Sequence, residues 1–174
     1  MTKTILLQRM KEVVEEAVKD LILPVRIQKD EETPEPRAAQ VYLARLPDKA
    51  SATKKAPYIV LQPVAGEDKQ EPGQRREASC LVRLVFTVFH PDGQEGGLAL
   101  LEMMERVRVA FLTNPNIGKQ FSLVESEGLE WGINYELDPP YYNGEMVGRW
   151  TLPAVEREDI QSCLERNLWK RQSP

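Results

Sequence analysis

The stretch CLVRLVFTVFH, residues 80–90, decides the fold, because apolar and more mixed side chains alternate along its whole length. The apolar set that would share one face of a strand is Val82, Leu84, Phe86 and Val88. Side chains of a strand point alternately to two faces, so the pattern predicts a strand with one face on a core and the other less covered. A turn signal, Pro91-Asp92-Gly93, ends it.

Segments with helical periodicity lie on both sides of this strand. Over residues 4–22, apolar side chains recur three or four positions apart, at Leu6, Met10, Val13, Ala17 and Leu21. A second helix is predicted over 97–113, opening at Gly96-Gly97, with a stripe made of Leu100, Met104, Val107 and Phe111. Each stripe occupies one side of its helix. We therefore expect both helices to pack on one sheet.

Further strands are predicted where β-branched and aromatic residues cluster, over residues 41–46, 58–64, 121–124, 129–137 and 146–155. Residues 65–78 are rich in Gly, Pro, Gln and charge and predict a long loop. Asn143-Gly144 is a strong hairpin-turn pair. Trp131 and Trp150 are expected to fill the core where the last two strands meet a helix.

This order of elements predicts an α+β fold, with a mainly antiparallel sheet of four to five strands and two helices packed on it. A length of 174 residues suits one domain. We assign residues 1–158 to that domain and residues 159–174 to a C-terminal tail, in which 159–169 can form a short helix.

Composition narrows the classes of function. The 23 Lys and Arg against 27 Asp and Glu give a net charge of −4, which disfavours general nucleic-acid binding through phosphates. No apolar run approaches the roughly 18 residues of a membrane span. Charged residues interrupt the N-terminal apolar patch, so no signal peptide is expected. Cys80 and Cys163 cannot build a disulfide framework, and cytosolic residence is the expectation.

Catalytic patterns in the sequence are sparse, and neither a catalytic residue, a metal site nor a cofactor is expected. His90, the only histidine, would lie about 30 Å from Cys80 along one strand at roughly 3.3 Å per residue. Asp48, Glu67 and Lys69 match the spacing of a metal-dependent nuclease, which needs two carboxylates for a divalent cation and a lysine to orient water. That nuclease is the alternative from another class of function.

Two places suggest binding surfaces instead. The polar 66–77 segment contains Lys69, Arg75 and Arg76 among four acidic residues, which is typical of a mixed, solvated interaction loop. Tyr141 and Tyr142 follow Pro139-Pro140, and tyrosine is enriched at protein interfaces. That these two tyrosines cap the local core is the alternative interpretation, and the sequence leaves it open.

A resemblance extends over roughly residues 4–157. The stretches that carry it are the amphipathic N-terminal helix, residues 56–61 with the polar loop after them, residues 81–93, the helix 98–112 with Asn114-Pro115, Trp131-Gly132-Ile133, and residues 140–146. In this order the chain resembles the tail terminator (tail completion) proteins of long-tailed bacteriophages and prophages.

The resemblance implies a structural, non-enzymatic subunit of α+β fold. Such proteins assemble as a ring, typically a hexamer, that caps the tail tube and offers a surface to the head-completion or connector proteins. It implies residence in the host bacterial cytoplasm during assembly and then in the virion tail, with neither membrane nor direct nucleic-acid contact. A head-to-tail adaptor of the phage neck is the alternative within the same class.

Overall fold

The computed structural model describes residues 2–26, 35–47, 55–71, 76–134 and 139–155. The helices and strands, in chain order, are α1 (Thr2–Val18), β1 (Gln40–Leu43), β2 (Tyr58–Lys69), β3 (Glu77–Phe89), α2 (Gly93–Thr113), β4 (Asn116–Ile117), β5 (Phe121–Ser122), β6 (Leu129–Asn134) and β7 (Tyr141–Leu152). The tail 159–174 and its possible helix lie outside the described residues.

One five-stranded sheet, in the order β1-β2-β3-β7-β6, organises the molecule, and β4 and β5 form a separate two-stranded sheet. Every neighbouring pair in the large sheet is antiparallel except β1 and β2, which are parallel. The predicted α+β fold with two helices and a mainly antiparallel sheet is confirmed. The single parallel pair was not foreseen.

The main core lies between this sheet and the two helices. All four side chains predicted for the inner face of β3 are fully buried, and the predicted stripe of α2 is buried as well. On α1 the buried side chains are Leu6, Leu7, Met10, Val14 and Val18. The helix ends at Val18, before the end of the periodic segment 4–22, and Leu23 instead pairs with Arg37 through two backbone hydrogen bonds of 3.0 Å.

The prediction of a long loop over residues 65–78 is wrong for most of that segment. β2 and β3 continue to pair as far as Lys69 opposite Glu77, with a register shift between Pro63 and Ala65. That shift accommodates a proline, which has no amide hydrogen to give the ladder. From Pro63 to Lys69 every β2 residue is exposed, so this part of the strand needs no apolar pattern, and its polar composition misled the prediction.

The hairpin turn expected at Asn143-Gly144 is also wrong, since both residues lie inside β7 between β3 and β6. Gly144 serves close packing: a Cβ built there would lie 2.5 Å from Met104 Sδ. Local turn propensity is therefore overridden by the approach of α2 to the sheet.

Helix α2 begins four residues earlier than predicted. The carboxylate of Asp92 accepts hydrogen bonds of 2.9 Å from the amides of Gln94 and Glu95 and so caps the helix. Gly96 and Gly97 consequently lie in the second turn of α2 rather than at its opening.

The two tryptophans assigned to the core differ in the structure. Trp150 is fully buried, with its ring centroid 5.4 Å from that of Phe111. Trp131 is 54% exposed, so its assignment to the core is wrong. It lies on β6, the outermost strand of the sheet, where no further strand continues the core among the described residues.

Candidate interaction surfaces

His90 and Cys80, the described residues considered for nucleophilic catalysis, lie near opposite ends of β3. His90 follows β3, and its Nδ1 accepts a hydrogen bond of 3.1 Å from the Asp92 amide, within the turn before α2. Cys80 is buried near the other end of β3, and burial raises the pKa of its thiol. Cys163 lies outside the described residues. Within the described ranges, no group of three or more His, Cys, Asp or Glu could hold a metal ion.

The nuclease hypothesis depends on three residues, of which two are described. Glu67 and Lys69 lie at alternate positions of β2 and form an ion pair with a distance of 2.7 Å between Nζ and Oε1. Both side chains are largely exposed. Asp48 lies outside the described residues, so the grouping of all three stays a hypothesis.

A polar hollow of about 470 Å³ lies at the end of the sheet where β2 and β3 extend. Arg76 donates to the Val155 carbonyl at 3.2 Å and to Gln70 Oε1 at 3.4 Å. Arg149 donates to Glu127 at 2.7 Å, a bond that raises the pKa of the guanidinium. Lys69 also lines the hollow, whereas Arg75 lies outside the described residues. The cations placed here are paired with neighbours of the same chain.

Tyr141 and Tyr142 occupy opposite faces of β7. The Tyr142 ring lies over Gly96, and its hydroxyl donates to the Asp92 carbonyl at 3.1 Å, so it holds the start of α2 on the sheet. The Tyr141 ring lies 5.5 Å from that of Phe89, and its hydroxyl accepts from Arg26 Nη1 at 3.1 Å. Tyr142 thus contributes to local packing, whereas Tyr141 joins a second cluster on the other face.

This second cluster lies on the face of the sheet opposite the helices, which we call the open face. Its buried members are Ala56, Tyr58 and Val60, and its half-buried members are Tyr42, Leu46, Val85, Phe89 and Tyr141. The rings of Tyr42 and Tyr58 meet edge to face at 6.4 Å. Both described helices contribute to the core on the other side. Neither α1 nor α2 therefore covers the aromatic and aliphatic side chains of the open face.

An apolar groove of about 680 Å³ runs along the outer side of α2, beside Ala17 of α1. The exposed apolar side chains of α2 are Leu98, Leu101, Val109 and Leu112. Charged residues at its border are paired along the helix, Glu102 with Arg106 and Glu105 with Arg108. The spacing of 98, 101, 109 and 112 is a second helical stripe, a signal that the sequence prediction could have used.

Neither described helix is long and apolar enough to cross a membrane. The sequence matches no family model, and no curated protein matches it at a significant level.

Proposed function

We propose that this chain is a structural subunit of a phage or prophage tail, which forms a ring, typically of six copies, capping the tail tube and joining it to head-completion or connector proteins. The proposal starts from the resemblance in the sequence. The proposed role involves neither catalysis nor a cofactor. In the polar hollow, Lys69 pairs with Glu67, Arg149 pairs with Glu127, and Arg76 donates to a backbone carbonyl. The subunit would reside in the host bacterial cytoplasm during assembly and then in the virion tail.

The observation that carries the proposal is that apolar side chains are exposed along the helix layer, while half-buried aromatic and aliphatic side chains lie on the open face. On the helix layer, Leu98 is 53% and Leu101 is 40% exposed. On the open face, neither α1 nor α2 covers the half-buried aromatic and aliphatic cluster. Contiguous exposed apolar surface marks sites of protein association. A ring subunit needs several such surfaces, because it contacts two neighbours and also partners along the ring axis.

Light scattering coupled to size-exclusion chromatography tests this proposal, with the protein alone over a wide concentration range and with tail-tube protein added. We expect a closed oligomer, formed either by the protein alone or on the tube. A strict monomer that also ignores tube protein would contradict the proposal. Pull-downs with tube protein and with the portal-side connector separate the alternatives, because an adaptor would bind the connector and not the tube.

A nicking assay with Mg²⁺ addresses the enzymatic alternative. The proposed structural role predicts no cleavage by the wild-type protein. Cleavage that Glu67→Ala abolishes would favour the nuclease, and cleavage that the variant retains would reject these residues as its site.

A further inference from the structure

The two outer strands of the five-stranded sheet run in opposite directions. β1 is parallel to β2, and the strands β2, β3, β7 and β6 then alternate in direction across the sheet. If a second copy continues the sheet in the same orientation, its β6 meets β1 as an antiparallel neighbour. We propose that β1 of one copy pairs with β6 of the next and so joins the sheets of adjacent copies. The inference rests on the self-association proposed above and specifies its contact.

The backbone groups needed for this pairing point outward on β1. The amides of Gln40 and Ala44 donate to carbonyls on the β2 side, to Pro57 at 3.2 Å and to Leu61 at 2.7 Å. Successive residues of a strand present their backbone groups to alternate sides. The amide and carbonyl groups of Val41 and Leu43 therefore point away from β2. Within the described residues, no strand pairs with β1 on that side.

The same alternation can be followed on β7 and β6. The Pro140 carbonyl accepts from His90, so even-numbered positions of β7 face β3, whereas the Arg149 carbonyl accepts from Val124 on the other side. Odd-numbered positions of β7 therefore face β6, and their partners there are Glu130, Gly132 and Asn134. The backbone groups of Leu129, Trp131 and Ile133 point outward. β1 thus offers two residues at alternate positions, and β6 offers three.

One register brings these groups together with matching side chains. It pairs Val41 with Ile133 and Leu43 with Trp131, as hydrogen-bonded pairs on the helix side of the sheet. Between them Tyr42 would lie opposite Gly132, on the open face, and a Cβ at Gly132 would meet nothing within 4 Å. Glycine opposite an aromatic ring leaves room for the ring to cover the neighbouring strand.

Charge supports the same alignment. Arg45, just after β1, borders a hollow on the open face together with Tyr58 and Val60. Glu130 lies on β6, at the other edge of the sheet. It is opposite Val147, which in turn is opposite Arg83, so Glu130 also lies on the open face. In the proposed register Glu130 falls opposite Ala44, next to Arg45 in the chain, so these two charges of opposite sign lie close together. An opposite-charge pair across strands is favourable.

The outer half of β2 is a third exposed edge, but its sequence is protected against strand pairing in a way that β1 and β6 are not. The outer half of β2 contains Pro63, a register shift directly after it, and the charged run 67–69. Proline, bulges and charge are the devices that prevent strand pairing at sheet edges. None of the three interrupts Gln40–Leu43, and Leu129–Asn134 contains only Glu130. An edge with Trp131 exposed and no such protection suits a partner strand.

The contact joins two different edges, so it is heterologous, and each copy keeps one free edge for the next. A rotation between copies closes such a chain into a ring in which neither β1 nor β6 keeps a free outer side. This is the symmetry that the proposed cap on a tube requires.

Cysteine cross-linking tests the register. Gln40 and Asn134 would face each other as a non-hydrogen-bonded pair, with about 4.5 Å between Cα atoms, a distance that a disulfide can span. In a Cys163→Ser background, the double variant Gln40→Cys with Asn134→Cys should give a covalent ladder on mild oxidation with copper phenanthroline. Cys80 stays because it is buried. The matched control is Gln40→Cys with Glu130→Cys, four residues out of register and beyond disulfide reach, which should give no ladder.

The single-cysteine variants show whether the contact is heterologous. Neither variant alone should form a covalent dimer, whereas an equal mixture of the two should form a dimer and nothing larger. Covalent dimers from either single variant would overturn the inference, and so would a ladder from the control pair.

Light scattering on the same double variant separates the two proposals. A ring without a 40–134 cross-link overturns the edge contact and leaves the proposed function standing. A cross-link between copies that never reach a closed oligomer supports the contact and counts against a ring. A monomer that neither cross-links nor associates with tube protein overturns both.

Discussion

Replacing Gly96 by alanine should destabilise the protein, although alanine is the better helix former. Gly96 is buried in the second turn of α2, and an ideal Cβ there lies 2.1, 2.5 and 2.6 Å from three atoms of the Tyr142 ring. Real Cβ atoms do not approach so closely, so the ring must move. A displaced ring also weakens the hydrogen bond from the Tyr142 hydroxyl to the Asp92 carbonyl.

The expected size follows from three effects. Alanine in place of glycine gains about 1 kcal/mol in a helix interior. Overpacking a well-packed site costs about 1–3 kcal/mol, and losing the hydrogen bond costs about 1 kcal/mol more. The free energy of unfolding should therefore fall by about 1–3 kcal/mol. For a chain of this length, each kcal/mol lowers Tm by about 2–4 °C.

The next residue provides the matched control. Gly97 lies in the same turn, and a Cβ built there meets nothing within 4 Å. Gly97→Ala should therefore stabilise the protein by up to about 1 kcal/mol. Urea unfolding of both variants measures the contrast, and equal effects of the two substitutions would refute the reasoning.

A double-mutant cycle identifies the ring as the cause. In a Tyr142→Ala background the obstacle is absent, so Gly96→Ala should change sign and become neutral or stabilising. If Gly96→Ala costs the same free energy with and without the Tyr142 ring, the clash does not explain its effect.

Three further predictions concern charge, a buried thiol and the groove. Hydrogen bonds from the Glu95 and Gln94 amides hold the pKa of Asp92 below its ordinary value of 3.8. The Asp92 carboxylate therefore stabilises the fold above that value, and the effect is lost as the pH falls through the lower, folded-state pKa. Urea midpoints of wild type and Asp92→Ala should differ at pH 7 and converge toward pH 2, and a difference that stays constant would contradict this. Burial raises the pKa of Cys80, so in a Cys163→Ser background a disulfide reagent such as DTNB at pH 8 should label this thiol only after unfolding; fast labelling of the folded protein would show that it is accessible. Leu98 and Leu101 are exposed, so replacing both by serine should change the free energy of unfolding by about 0.5 kcal/mol per site or less. Assembly measured by light scattering should weaken. A loss of stability without a loss of assembly would assign the two residues to the core.

The sequence allowed correct prediction of elements whose local pattern agrees with their final packing. The alternation along β3 and the stripe of α2 are such cases, because each has one face on the common core. The outer part of β2 was missed for the opposite reason: its residues beyond Gln62 are exposed, so no apolar alternation marks the strand. Strand propensity describes how a residue fits a half-buried pleated surface. This segment has no half-buried surface, so propensity does not mark it as a strand.

Other features depend on topology, which local signals do not contain. Asn143-Gly144 has strong turn propensity, but β7 passes through it because β3 and β6 pair on both sides and Met104 needs the space at Gly144. Tryptophan is large and mostly apolar, so the sequence placed Trp131 in the core. It is exposed because β6 is the outermost strand, a position known only once the order of strands is known. The same holds for both edges proposed as the contact.

The single parallel pair, which the sequence did not predict, determines how copies can join. In a five-stranded sheet with every pair antiparallel, the two outer strands run in the same direction, and copies placed side by side would meet in parallel. Making β1 parallel to β2 reverses one outer strand relative to the other. In the proposed contact, adjacent copies would then meet as antiparallel strands, the pairing that is slightly more stable per residue. A locally weaker arrangement inside the subunit would thus give the stronger contact in the proposed assembly, and it would do so only if β1 remains at the edge.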